Sequence, residues 1–186
     1  MQKRKRLFFI AMEEEALPII KHFKLEKVDK SYYKDEDNIL FITGIGVANI
    51  LQKLYKLKDV NLDDYRRFNI GYVGSKDFEI GDIVEIPVFK RLNPPKLVQG
   101  LDVTLKNQTY YSDFKIATLY TADDFVQDME LPKKSVVDME GFYLRCIFPN
   151  IMTLKIVSDN LDMKAFDKNA RENKLQASWD ALLSKI

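Results

Sequence analysis

Three acidic segments follow apolar runs. Glu13, Glu14 and Glu15 stand directly after FFIAM, Glu140 after SVVDM, and Asp159 closes TLKIVS. Capping or the macrodipole accounts for one acid at a helix start, but three consecutive glutamates exceed that need. Ligands of open α/β sheets bind outside the carboxyl ends of the strands, so acids from three distant segments can converge on one cavity. Each acid taken alone also reads as an ordinary helix N-cap or first-turn residue.

The other reactive side chains are scarce. The single cysteine, Cys146 in FYLRCIF, excludes an internal disulfide and reads as a small core residue of a helix. The single histidine, His22, lies within IIKHFK on a helical pattern. A cysteine-rich metal site and the usual zinc ligand sets are excluded, and no metal or cofactor is expected. The chemistry is left to carboxylates, hydroxyls and backbone groups.

Charge narrows the partners. With 29 Lys+Arg against 28 Asp+Glu, net +1, the chain has no general attraction for nucleic acid or an anionic membrane. A small neutral ligand fits better. The basic start MQKRKR precedes only a short apolar run that breaks into EEE, which fits neither a signal peptide nor a membrane span. A cytoplasmic protein of one domain, residues 1–186, is the expectation.

The elements that must carry the acids are legible as patterns. Runs rich in Ile, Val and Phe predict strands at 7–11, 38–43, 67–73, 82–89, 115–120, 134–138 and 151–157. Three- and four-residue spacings predict helices at 14–23, 47–57, 141–148 and 168–185, the last with Leu175, Trp179, Leu182 and Leu183 as its core stripe. This alternation implies an α/β fold, a mixed central sheet flanked by helices. Segments 24–37 and 90–114 read as a hairpin and a long excursion, with a turn at NPP (93–95).

Two glycine-bearing turns follow strands, TGIGVANI (43–50) and GYVGS (71–75). Glycine there admits a ligand to the backbone or serves a tight turn, which makes Gly74 and Ser75 candidate substrate contacts. Neither turn is a complete dinucleotide fingerprint, and the lysine of a P-loop is missing.

In this order, IAMEEEALPI, ITGIGVANI, GDIVEI, TADDF, VVDMEG and IVSDN resemble the nucleoside phosphorylase and nucleosidase superfamily. The chain is most similar to the methylthioadenosine/S-adenosylhomocysteine nucleosidases, as a shortened member. The resemblance implies a nucleoside phosphorylase-like three-layer fold and hydrolysis of the glycosidic bond of an adenine nucleoside. Carried over by residue, it makes Glu15 the group that activates water and Asp159 the general acid at the purine, supported by Ser158. Met139 and Glu140 would contact the ribose, Phe125 would stack on the base, and the backbone of Val126 would read its edge. A homodimer is also implied, and the helix carrying Ile50, Leu51, Leu54, Tyr55 and Leu57 has more apolar residues than one core-facing stripe needs.

The chemistry is consistent with those roles. Cleaving a ribose–purine bond leaves a cationic sugar and an anionic base, so two carboxylates flanking the bond serve as base and acid. Glu15 must then start ionised and Asp159 protonated. The sequence departs from the resemblance in three places. Segment 104–120 lacks a helical stretch, Tyr72 stands where relatives carry a small residue near the nucleophile, and Lys155 replaces an arginine before SD. Two alternatives stay open: a phosphorylase using phosphate in place of water, and a relative that binds a nucleoside without cleaving it.

Overall fold

The computed structural model describes residues 5–93, 104–126, 129–161 and 168–186. Most of the NPP turn and the middle of the 90–114 excursion lie outside the described residues. Each strand read from an apolar run is present, with ends within two residues of the expectation. In chain order the elements are β1 (Lys5–Ile10), α1 (Glu13–Phe23), β2 (Glu26–Asp29), β3 (Tyr32–Lys34), β4 (Asn38–Ile42), α2 (Val47–Lys53) and β5 (Tyr65–Gly74). They continue with β6 (Ile83–Arg91), β7 (Leu105–Lys106), β8 (Lys115–Thr121), β9 (Ser135–Asp138), α3 (Gly141–Ile147), β10 (Met152–Asp159) and α4 (Lys168–Leu183). The helix expected over 47–57 is α2 tightened into a 3₁₀ turn at Leu54–Leu57.

β5 organises the sheet, pairing in parallel with β1 on one side and β10 on the other. Beyond β1 lie β4, in parallel, and then the antiparallel hairpin of β3 and β2. On the other side β10 pairs antiparallel with β6, which leads through β8 to β9. β9 returns to β5 at Gly74 and Val137, which closes these five strands into a partial barrel.

Helices cover both faces. Ala16 and Ile19 of α1 and Leu175, Trp179, Leu182 and Leu183 of α4 pack on Phe8, Phe68, Ile70, Leu154 and Ile156. Ile50 of α2 and Leu144 of α3 pack on the opposite side with Leu7, Phe9 and Phe41. The burial of every residue of β4 explains the unbroken apolar run from Ile39 to Ile42, since both of its faces are covered. Among the described residues no helix is long and apolar enough to cross a membrane.

One mismatch of strand lengths creates the site. β1 ends at Ile10, whereas β5 continues to Gly74. The last residues of β5 therefore offer backbone donors that no strand on the β1 side takes up.

Candidate active site

Glu15 fills that gap. It lies in the first turn of α1, and its Oε1 accepts the Tyr72 N–H at 2.6 Å while Oε2 accepts the Met12 N–H at 3.1 Å. The second bond caps the helix, so the bland role expected of such an acid is present too. Gly71 makes the approach possible, because a Cβ there would stand 2.9 Å from Glu15 Oε1.

Glu140 reaches the same cavity from the start of α3. Its Oε1 accepts the Gly46 N–H at 2.7 Å, and Gly46 has φ 80°, a backbone state that favours glycine. The TGIGVANI turn thus positions a carboxylate. Sequence reasoning had no signal for that contact.

Asp159 ends β10. Its Oδ1 accepts the Leu161 N–H at 3.0 Å and its Oδ2 accepts the Ser158 hydroxyl at 2.9 Å. A Cβ on Gly74 would fall 2.7 Å from Asp159 Oδ1 and 2.2 Å from Leu161 Cδ2, so this glycine makes room for the acid.

These residues share a cavity of about 340 Å³, also lined by Phe125, Val126, Met139, Tyr72 and Arg171. That volume suits a small ligand. Phe125 is 78% exposed at the cavity wall, its ring available to a planar group. Its loop is anchored through Asp123, which pairs with Arg91 at 2.5 Å and accepts the Tyr143 hydroxyl. The Tyr143 bond, then Arg91, hold the Asp123 carboxyl below its usual range.

Ser75 is placed differently from the expectation. It is fully buried and does not line the cavity, because its hydroxyl donates to the Ser135 carbonyl at 2.7 Å and accepts the Asp77 N–H at 3.2 Å. Cys146 corrects a second expectation: it is on α3 but exposed, not core. His22 is exposed as well, edge-on to Phe23. Trp179 is core as expected, yet its indole N–H also donates to the Tyr72 hydroxyl at 2.9 Å.

Electrostatics single out two of the acids. Burial pushes Glu15 upward, against the opposing pull of Lys155 and two backbone N–H bonds. Burial, then the charge of Asp138, raises Glu140 to about 7. The upward direction at Glu15 differs from what keeps an acid ionised, and its cause is desolvation. An elevated carboxylate is in turn the stronger base once ionised.

The arrangement can polarise a bound water, hold neighbouring hydroxyls and meet a planar group with an acid at its edge. The sheet order, partial barrel and helices on both faces constitute a nucleoside phosphorylase-like three-layer α/β fold. No family model matches the chain, and no curated protein matches it. Solved structures do. The 5′-methylthioadenosine/S-adenosylhomocysteine nucleosidase from Helicobacter pylori, with butyl-thio-DADMe-Immucillin-A, aligns at TM-score 0.76 and 18% identity, covering 100% of each chain. MTAN from Chlamydia trachomatis bound to MTA aligns at 0.73 and 20% identity, covering 98% of this chain and 99% of that one. The same protein bound to adenine aligns at 0.73 and 20%, covering 98% and 97%. These likenesses establish the fold.

Proposed function

We propose that the protein is an N-ribosyl hydrolase that cleaves the glycosidic bond of an adenine nucleoside such as methylthioadenosine or S-adenosylhomocysteine. The observation that carries this reading is the meeting of Glu15, Glu140 and Asp159, from three distant segments, around one cavity with Phe125 in its wall. Glu15 takes a proton from the attacking water. Glu140 accepts hydrogen bonds from the ribose hydroxyls beside Met139. Asp159, held by Ser158, protonates the departing purine, which stacks on Phe125 and is read by the backbone of Val126. The solved nucleosidases of the same fold, with their methylthioadenosine and adenine ligands, support the substrate class.

The reading includes a cytoplasmic homodimer. In the helix after the glycine turn, Ile50 and Leu57 are buried, while Leu51 and Tyr55 are 60% and 66% exposed. The exposed pair gives a second copy an apolar surface to cover.

A second reading, phosphorolysis, is favoured by Arg171, a cation in the cavity wall suited to an anion. One assay separates the two. Incubation with methylthioadenosine should release adenine and free sugar equally well with and without phosphate. Sugar phosphate as product would favour the second reading, and absence of adenine would reject both.

A further inference from the structure

β10 reads MTLKIVSD, and the lysine in its middle does not reach solvent. The Lys155 side chain is 3% exposed, and among the described residues it is the only buried lysine or arginine. Its ammonium lies 3.1 Å from Asp138 Oδ2 and donates to Asn69 Oδ1 at 3.2 Å. Removing an ammonium from water is costly, and a well-packed apolar residue commonly serves stability better. The cation therefore calls for a reason beyond packing.

Asp138 has its own support. Its Oδ1 accepts the Thr121 hydroxyl at 2.7 Å and the Gly141 N–H at 3.1 Å, and its Oδ2 accepts the Gly141 N–H at 2.9 Å, at the start of α3. The functional carboxylates are also close by. Lys155 is in register with Gly71, the residue against which Glu15 Oε1 packs. Glu140 stands two residues beyond Asp138. The charge of Lys155 acts on both glutamates in the direction that favours their ionised forms.

We propose that Lys155 is the positioning residue of this site: its ammonium, sealed beneath the cavity and held by Asp138 and Asn69, is the countercharge that keeps Glu15 and Glu140 available as carboxylates. The proposal rests on the hydrolase reading only in the roles it gives those two glutamates. β5 contributes Asn69 and β9 contributes Asp138; α1 contributes Glu15 and the start of α3 Glu140. On β6 the residue opposite is Val84, and Glu85 is occupied by the Tyr110 and Tyr111 N–H groups. Asp124, Asp159, Tyr72 and Arg171 line the cavity above.

The test is a carboxyl ¹³C NMR titration of glutamate-labelled protein without substrate, with Glu15 and Glu140 assigned through their Gln variants. Lys155→Met should raise both midpoints by roughly one pH unit or more, a tenfold or greater change in proton affinity. Lys155→Arg, which keeps the charge, should hold both near the parent values. If Lys155→Met does not fold, Lys155→Met with Asp138→Asn removes the stranded anion, and the Glu15 midpoint should still rise. An unchanged Glu15 midpoint in the folded variant, with only the melting temperature altered, would overturn the proposal and leave Lys155 a structural ion pair. No nucleoside enters the measurement, so it succeeds or fails separately from the hydrolase assay.

Discussion

Replacing Glu140 by glutamine removes a buried charge whose cost can be followed with pH. Burial and the neighbouring Asp138 hold the Glu140 carboxyl at about 7, against a usual value near 4.5. Below pH 4.5 the group is protonated in both folded and unfolded chains and contributes nothing. Between pH 4.5 and 7 the unfolded chain ionises freely while the folded one resists, so stability is lost as pH rises, and above 7 the loss is constant. A displacement of that size corresponds to roughly 3 kcal/mol. Glutamine keeps an oxygen for the Gly46 N–H, 2.7 Å away in the parent, and the preference of that bond for the charged form is already contained in the displaced value. Glu140→Gln should therefore gain about 3 kcal/mol at pH 8, or roughly 6–12 °C in melting temperature for a chain of this size. Calorimetry across pH 4 to 8 measures it, with the gain absent at pH 4. A variant less stable than the parent at pH 8, or a difference that does not vary with pH, would refute this reasoning. Weakened ribose binding is the expected functional cost.

Other expectations follow from the same geometry. Glu15→Gln and Asp159→Asn should each lower the rate of nucleoside cleavage by roughly two or more powers of ten, read in single-turnover assays. Gly71→Ala would place a Cβ 2.9 Å from Glu15 Oε1, so it should displace the carboxylate from the Tyr72 N–H and cut the rate at least about tenfold while the circular dichroism spectrum is kept. Adenosine should be cleaved in preference to inosine by about 1–3 kcal/mol in kcat/KM, since a 6-oxo group presents an acceptor to the acceptor oxygen of Asp159. Light scattering at micromolar concentration should give a dimer mass, and Leu51→Glu with Tyr55→Glu should return it to a monomer.

The fold was legible because strands buried on both faces carry continuous apolar runs, as Ile39 to Ile42 of β4 do, and because α4 carries one clean stripe. That Glu15, Glu140 and Asp159 share one cavity was legible only from their joint pattern behind three apolar runs, since each alone also fits a helix start, as the Met12 N–H bond of Glu15 shows. Arg171 and Asp138 escaped notice for the converse reason: an arginine on a polar helix and an aspartate before a helix look like solvent-facing or capping residues. Ser75 misled because a serine after a glycine turn looks open to a ligand, whereas its hydroxyl is taken by Ser135 across the sheet. Cys146 misled because its apolar neighbours in sequence face the core while it does not. Lys155 was visible as a departure from the resemblance, yet the partners of its ammonium, Asn69 on the paired strand β5 and Asp138 on β9, are distant in sequence and meet it only in the folded sheet.

In the proposed reaction Glu15 and Asp159 address opposite ends of one glycosidic bond. A crystal structure of the Asp159→Asn variant with methylthioadenosine tests it most directly. The purine N7 is expected about 3 Å from residue 159, the ribose hydroxyls on Glu140, and a water between Glu15 and the anomeric carbon at hydrogen-bond distance from the carboxylate. A nucleoside bound outside this cavity, or seated with its base toward Glu15, would contradict it.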